Sequence, residues 1–289
     1  MYQKIATPAR TREILEENGF TIKKGYGQNF LIDGNILERI IEAGNITKDD
    51  FVMEIGPGLG GLTQYLCENS KEVLAVEIDK SAIPILEKNL AGYENLTIIN
   101  ADILKVDIAE LLKDKKNIKV AANLPYYITT PVIMELLERR LNIESITVMV
   151  QKEVAQRMQA KPGSPDYGAL SLAVEFYSEA RINMVVKPTC FIPRPKVDSA
   201  VITMKIRDEK PVNVGDEELL FRIIKSAFGQ RRKTLVNSIY NQCGFDMSKE
   251  ELADILNGIG FDERIRGEAL SLEDFARLTE AITDKINNK

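Results

Sequence analysis

Histidine is absent from all 289 residues of the chain, and cysteine is scarce. The first absence excludes imidazole bases, Ser-His and Cys-His nucleophilic pairs, and the commonest ligand of transition metals. The three cysteines, Cys67, Cys190 and Cys243, are scattered and odd in number, which argues against a disulfide framework and a thiolate metal site. We therefore expect no metal, packing roles for the cysteines, and a reaction that needs none of these groups.

Long apolar runs and a net positive charge are also missing. No apolar run approaches the roughly 20 residues that a membrane helix requires, and residues 1–6 lack the apolar core of a signal peptide. These absences predict a cytoplasmic protein without a membrane partner. The formal net charge of −5 predicts no overall affinity for nucleic acid, so binding of that kind requires a local basic face.

A glycine-rich turn organises the chain. An apolar strand from Phe51 runs into Gly56-x-Gly58-x-x-Gly61, and an amphipathic helix follows at residues 62–68. Glycine is used where the backbone takes unusual angles or approaches a ligand closely, and a helix that starts there presents free N–H groups. The spacing fits a dinucleotide fingerprint, so a nicotinamide or flavin enzyme and an S-adenosylmethionine enzyme both remain possible interpretations of the glycines alone.

Polar residues at strand ends favour the second interpretation. Glu54 precedes the first glycine, Glu77 and Asp79 end a second strand, and Asp102 ends a third. Asn123-Leu124-Pro125-Tyr126 follows a fourth strand and resembles the motif of enzymes that methylate exocyclic amines, with Leu124 in place of its first proline. Together these features resemble a class I methyltransferase, whose reactive sulfonium is supplied by the cofactor and requires no histidine.

The order of elements predicts two domains. Strands and helices alternate from Phe51 to about residue 207 at the spacing of a parallel sheet, with a closing hairpin at 180–186 and 200–206. Ser81 is expected to cap the helix that ends at Leu90, and residues 171–178 fit either a strand or a helix. A composition shift at 208–215 precedes a helical tail with cap signals at Asp216, Ser248 and Ser271.

Four motifs occur in a fixed order along the chain. They are Gly27-Gln-Asn-Phe-Leu31, Glu54-Ile-Gly-Pro-Gly-Leu-Gly60, Asn123-Leu-Pro-Tyr126 and Phe191-x-Pro193-x-Pro195-x-Val197-x-Ser199. In this order they resemble the ribosomal RNA adenine N6,N6-dimethyltransferases, and within that family the small-subunit branch. The resemblance covers nearly the whole chain.

The resemblance implies a fold and a substrate. The fold is a Rossmann-like, seven-stranded α/β methyltransferase domain at residues 1–207, which begins with an N-terminal cofactor lid. A small all-α RNA-binding domain follows at 208–289. The substrate is a pair of adjacent adenosines in the 3′-terminal hairpin loop of small-subunit (16S) rRNA, modified on N6 with S-adenosylmethionine during small-subunit biogenesis. We expect a monomer that binds the small subunit or its precursor and no DNA.

The resemblance also implies cofactor contacts. They are expected at Gln28, Asn29, Leu31, Glu54, Gly56, Gly58, Glu77, Asp102 and Asn123. Glu77 would hold the ribose hydroxyls and Asp102 the adenine amine, which suits carboxylates because they accept hydrogen bonds. Glu54 would accept from the ammonium group of the cofactor or orient the glycine loop.

Catalysis is expected from the turn after the fourth strand. The side-chain oxygen of Asn123 and the carbonyl of Leu124 would accept the N6 hydrogens and make the amine more nucleophilic. Tyr126 would stack on the extruded base, with Phe191 in its proline-fixed loop as the opposite wall.

A local basic face is expected at Arg222, Lys225, Arg231, Arg232 and Lys233, a stretch without an acidic residue between its ends. Two other functions remain open at this point. The large-subunit (23S) rRNA branch, which confers macrolide resistance, shares the motifs. An assembly factor whose binding matters more than its methylation is compatible with the same residues.

Overall fold

The computed structural model describes residues 3–230 and 233–288, and of Lys24 the backbone only. The strands, in chain order, are β1 (Phe30–Leu31), β2 (Phe51–Ile55), β3 (Glu72–Glu77), β4 (Leu96–Asn100), β5 (Ile118–Asn123), β6 (Ile143–Gln151), β7 (Ser178–Val186), β8 (Phe191–Ile192) and β9 (Ser199–Ile206). The helices of the first half are α1 (Pro8–Glu17), α2 (Gly34–Ala43), α3 (Gly61–Asn69), α4 (Ile83–Leu90), α5 (Ile108–Leu112) and α6 (Thr129–Glu138). Those of the second half are α7 (Lys152–Met158), α8 (Ala169–Tyr177), α9 (Glu217–Gly229), α10 (Leu235–Gln242), α11 (Lys249–Gly258) and α12 (Leu272–Asn287).

The main sheet has seven strands among the described residues, in the order β4-β3-β2-β5-β6-β9-β7. Strands β4, β3, β2, β5 and β6 pair with one another in parallel, and β9 pairs with β6 in antiparallel fashion. The expected seven-stranded α/β fold is confirmed. Because β2 to β5 are parallel, their carboxyl ends meet at one edge of the sheet, which is where such folds bind ligands.

A second sheet was not expected from the sequence. Strands β1 and β8 pair in antiparallel fashion, with Leu31 opposite Phe191. Each strand has only two residues, so neither contains an alternating pattern that would announce it. This small sheet joins the N-terminal segment to the loop between β7 and β9.

Two compact units make up the chain: residues 1–155 with 179–206, and residues 156–178 with 207–289. From the sequence, residues 1–207 were expected to form the first domain and residues 208–289 the second. In the structure, residues 156–178 also group with the second unit. Aromatic contacts explain the difference. Tyr167 lies edge-on to Phe228 and donates to the carbonyl of Leu270 at 2.9 Å, and Phe176 lies edge-on to Phe221.

Local signals explain most helix starts. Asp33 and Asp216 accept from backbone N–H groups at the starts of α2 and α9, and Ser248 and Ser271 form capping boxes. Ser81 is an exception, because its N–H and hydroxyl both donate to Asp79 and α4 begins after Ala82. None of the described helices combines the length and apolar character needed to span a bilayer.

Candidate active site

A cavity of about 320 Å³ lies in the first unit at the carboxyl edge of the parallel strands. Eleven of the predicted cofactor and catalytic residues line it. They are Gln28, Asn29, Leu31, Glu54, Gly56, Gly58, Glu77, Asp102, Asn123, Leu124 and Tyr126. The structure therefore brings together residues from the N-terminal segment and from the ends of β2, β3, β4 and β5.

Residues of the glycine turn between β2 and α3 line this cavity. Gly56, Gly58 and Gly60 have φ angles of 70°, 60° and 92°, in the left-handed region that favours glycine. A Cβ atom added to Gly58 would lie 3.0 Å from the ring of Phe30. The turn is thus both conformationally and sterically restricted to glycine at this position.

Two carboxylates lie at the ends of the neighbouring strands. Glu77 is 5% exposed, and its two oxygens accept from the N–H groups of Gly58 at 3.0 Å and Asp79 at 2.7 Å. Burial raises the pKa of Glu77, and these backbone hydrogen bonds oppose that rise. Asp102 is half-buried and accepts from the N–H of Leu104 at 3.1 Å. Carboxylates at two strand ends fit a ligand that presents hydroxyl and amine donors, as an adenosine does.

Glu54 is the most unusual titratable group of the cavity. It is 1% exposed in the middle of the sheet, between Ala75 of β3 and Ala121 of β5. Among the described residues, its Oε2 has no hydrogen-bond partner. Burial raises the pKa of Glu54 to about 8; the nearby Thr63 hydroxyl opposes this rise, and repulsion from Glu77 adds to it. A buried acceptor without a partner on a cavity wall fits a ligand with a cationic donor, such as an ammonium group.

The turn after β5 is held on both sides. The side-chain nitrogen of Asn123 donates to the carbonyl of Asn29 at 2.9 Å, and the N–H of Leu124 donates to Met149 O at 3.1 Å. Because the Asn29 carbonyl can only accept, it selects the amide nitrogen of Asn123. This choice leaves the amide oxygen of Asn123 as the acceptor available to a ligand.

Tyr126 is fixed through its hydroxyl. Its Oη lies 2.8 Å from the Oγ of Ser199, a fully buried residue at the start of β9. Burial raises the pKa of Tyr126, and the hydrogen bond to Ser199 opposes the rise. Ser199 belongs to the fourth sequence motif, whose spacing was the available signal for it, but no role for Ser199 was expected from the sequence.

Two predicted site residues, Phe191 and Gln28, make protein contacts that the sequence did not indicate. Phe191 does not line the cavity: it is 1% exposed and packs in a hydrophobic cluster of the first unit with Leu31 and Met149. Gln28 lines the cavity, and its side-chain oxygen accepts from the N–H of Lys23 at 2.9 Å while its side-chain nitrogen donates to Asp79 at 2.9 Å.

The predicted basic face belongs to the second unit. Arg222 and Lys225 lie three positions apart on α9, and both are exposed, as is Lys233. The Arg222 guanidinium lies 5.0 Å from the ring centre of Phe245. Arg231 and Arg232 lie outside the described residues.

Metal-ligating side chains do not gather in the part of the chain that the structure describes, where no three Cys, Asp or Glu residues form a possible ion site. All three cysteines are free. Burial raises the pKa of Cys67 to about 12, so its thiol is neutral and packs as a small apolar group.

The chain is similar to known proteins over nearly its whole length. The sequence model of the family described as ribosomal RNA adenine dimethylase matches residues 19–284. The chain is 54% identical to the ribosomal RNA small subunit methyltransferase A of Lachnoclostridium phytofermentans over 286 residues, 98% of this chain and 99% of the relative. It is 49% identical to the protein of the same name from Geobacillus kaustophilus, with 98% of each chain covered.

Two solved structures are similar over most of the chain. A dimethyladenosine transferase from Plasmodium falciparum superposes with a TM-score of 0.74 at 27% identity, covering 88% of this chain and 98% of that one. The 23S rRNA methyltransferase ErmE superposes with a TM-score of 0.64 at 25% identity, covering 88% of this chain and all of that one. The chain belongs to the ribosomal RNA adenine dimethylase family.

Proposed function

We propose that the protein dimethylates the N6 amines of two adjacent adenosines in the 3′-terminal hairpin loop of small-subunit (16S) rRNA, and that it acts in small-subunit biogenesis. The relatives of highest identity named above are small-subunit methyltransferases, whereas the 23S enzyme is only 25% identical. This difference favours the small-subunit substrate over the large-subunit one. Such a substrate would place the activity in the cytoplasm.

The observation that carries the proposal is the orientation of Asn123. An adenine N6 is a poor nucleophile because its lone pair is delocalised into the ring. Acceptors on its hydrogens localise that lone pair, and the Asn123 oxygen is left available by the hydrogen bond from its nitrogen to Asn29. The Leu124 carbonyl follows directly in the same turn and would be the second acceptor.

S-adenosylmethionine supplies an electrophilic methyl group on its sulfonium when it is bound. The residues present fit this cofactor, since Glu77 and Asp102 offer acceptors for ribose hydroxyls and an adenine amine. Glu54 offers a buried acceptor without a protein partner for the ammonium. Holding nitrogen, methyl and sulfur in line would contribute roughly 7–11 kcal/mol to lowering the barrier. The amine becomes acidic once alkylated and loses its proton to water, so no histidine base is needed.

Tyr126 would stack on the target base after the base leaves its helix or loop. Such contacts contribute roughly 1–3 kcal/mol per base. Ser199 holds the Tyr126 ring in place through the 2.8 Å contact. The exposed cations of the second unit, with Arg222 and Lys225 on α9, would neutralise RNA phosphates and compensate locally for the net charge of −5.

The decisive experiment offers methyl-labelled S-adenosylmethionine with undermethylated small and large ribosomal subunits and maps the label. Label on two adjacent adenosines of the small subunit is expected, and Asn123→Ala should slow its incorporation severely while binding to small subunits persists. Label on the large subunit, or none on either, would contradict the proposal. A wild-type protein that binds small subunits without transferring label would favour the assembly-factor interpretation.

A further inference from the structure

Asp79 is a buried carboxylate that the proposed chemistry does not use. It lies two residues after the end of β3 and is 1% exposed, but it is not among the described residues that line the cavity. Its Oδ1 lies 2.6 Å from the Nζ of Lys23, and its Oδ2 accepts from the side chain of Gln28 at 2.9 Å. Ser81 donates to Oδ1 as well, from its hydroxyl at 2.6 Å.

The two contacts that Asp79 makes with residues distant in sequence are therefore both to residues 23–29, which we call the N-terminal lid. An internal hydrogen bond links the two ends of the lid, since the N–H of Lys23 donates to the side-chain oxygen of Gln28 at 2.9 Å. Burial alone would raise the pKa of Asp79, but hydrogen bonds from Lys23, Ser81 and Gln28 together lower it. Asp79 thus keeps its charge at neutral pH, and that charge is what attracts the two lid residues.

The far end of the lid touches the catalytic turn. Asn29 accepts from the Asn123 side chain at 2.9 Å through its carbonyl, and its own side chain donates to Gly27 O at 3.0 Å. A Cβ atom at Gly27 would lie 3.4 Å from both Pro125 and Tyr127. The lid is consequently packed between the Asp79 carboxylate and the turn that presents Asn123.

We propose that Asp79 is a positioning residue for methyl transfer: it anchors the N-terminal lid, and the anchored lid holds the Asn123 amide with its oxygen toward the target amine. The proposal rests on the proposed function for the identity of the amine. It assigns the Gln28 side chain to the anchor, in addition to the place that Gln28 has on the cavity wall.

Two variants and a matched control test the anchor. Asp79→Asn removes the charge, and Lys23→Met removes its ionic partner. The control is Lys115→Met, because Lys115 makes an ion pair of the same 2.6 Å length with Glu72 at the opposite end of β3. Both test variants should lower kcat for methyl transfer to small subunits by roughly ten- to hundredfold, as misplaced catalytic groups do. Lys115→Met should leave kcat near the wild-type value.

The link to Asn123 is tested by a double-mutant cycle. If Asp79 acts through Asn123, then Asp79→Asn should reduce the residual single-turnover rate of Asn123→Ala by much less than it reduces that of wild type. Independent, multiplicative losses would overturn the proposal and leave Asp79 as a stabiliser of the β3 end. Equal losses in Lys115→Met and Lys23→Met would overturn it too.

A second readout needs no activity. The chain contains no tryptophan, so Tyr26→Trp places a single tryptophan in the lid, which can be excited selectively in the presence of the remaining tyrosines. Its anisotropy should fall in Asp79→Asn, in Lys23→Met and, because the coupling is reciprocal, in Asn123→Ala, with the double variant falling less than additively. An unchanged anisotropy in Asp79→Asn would refute the anchor. If wild type labels no small-subunit adenosine while the anisotropy changes as expected, the proposed function fails and the anchor stands.

Discussion

Glu54→Gln should stabilise the protein without cofactor, by an amount that grows with pH. The pKa of Glu54 is raised from 4.5 to about 8 in the folded state, chiefly by burial, so the folded state binds this proton more tightly than the unfolded state does. The contribution of protonated Glu54 to the unfolding free energy is fully present below about pH 4.5 and is lost as the pH rises through about 8. Glutamine does not ionise and avoids this loss.

The size of the effect follows from the same shift. Each pH unit between the two pKa values costs wild type about 1.4 kcal/mol of unfolding free energy. The variant should therefore exceed wild type by roughly 3 kcal/mol at pH 7, with the difference approaching zero near pH 4.5. Wild type and variant share every other titrating group, so the difference between their pH profiles isolates Glu54.

The measurement is urea unfolding of both proteins from about pH 5.5 to about pH 8.5, where the difference should widen by roughly 1.4 kcal/mol per unit up to pH 8. Amide exchange of peptides from β2 and β3 assigns the change to the first unit. If the difference in unfolding free energy between the two proteins stays constant with pH, Glu54 is not protonated in the folded state.

Cofactor binding should change in the opposite direction. If Glu54 accepts from the ammonium of S-adenosylmethionine, the ionised form binds better, so wild-type affinity should rise from pH 6 toward pH 8 while that of Glu54→Gln stays low and flat. Calorimetry in buffers of different ionisation enthalpy should show proton release on binding to wild type alone. Parallel pH profiles for the two proteins would remove Glu54 from the cofactor site. The predicted gain in stability and loss of affinity is the trade-off expected of a buried functional group.

Further predictions address the base pocket and the basic face. Phe191→Ala should cost about 3–5 kcal/mol of unfolding free energy, because the ring is buried in the core; an undiminished stability would contradict that packing role. Ser199→Ala should lower the transfer rate and leave cofactor affinity unchanged, since the Tyr126 hydroxyl loses its partner; a rate equal to that of wild type would show that the ring is fixed otherwise. The double variant Arg222→Glu, Lys225→Glu should bind small subunits more weakly and with a smaller salt dependence. An unchanged salt dependence of binding would exclude α9 from the RNA interface.

The parts of the fold that the sequence predicts are those with local determinants. The capping boxes at Ser248 and Ser271 and the cap at Asp216 lie within three residues of the groups they satisfy, and all three occur as predicted. Residues 171–178 contained no such signal, and their apolar, β-branched composition suits either element. Residues 171–177 belong to a helix, α8, and Ser178 begins β7. Phe176 of α8 packs against Phe221 of α9, a tertiary contact that local propensity does not record.

The cavity could be predicted where it depends on strand ends. Glu77 and Asn123 each end a strand of one parallel sheet, so their proximity follows from the strand order. The residues that orient them could not be predicted in the same way. The carbonyl that holds Asn123 belongs to Asn29, and the carboxylate that holds Gln28 belongs to Asp79. Each hydrogen bond joins segments that are distant in the chain, and the presence of an asparagine or an aspartate in the sequence does not indicate which residue it will bond.

Phe191 shows why a motif alone leaves a side chain unassigned. A phenylalanine in a proline-braced loop suits a stacking wall, and that expectation depends on which way the residue faces. Successive side chains of a strand point to opposite faces, so a shift of one residue in the pairing of β8 with β1 would exchange the positions of Phe191 and Ile192. The observed register places Phe191 opposite Leu31 and is reinforced by a hydrogen bond from Ile32 N–H to Cys190 O at 2.9 Å. Because this register depends on a distant segment, the burial of the ring follows from the tertiary pairing and not from the motif.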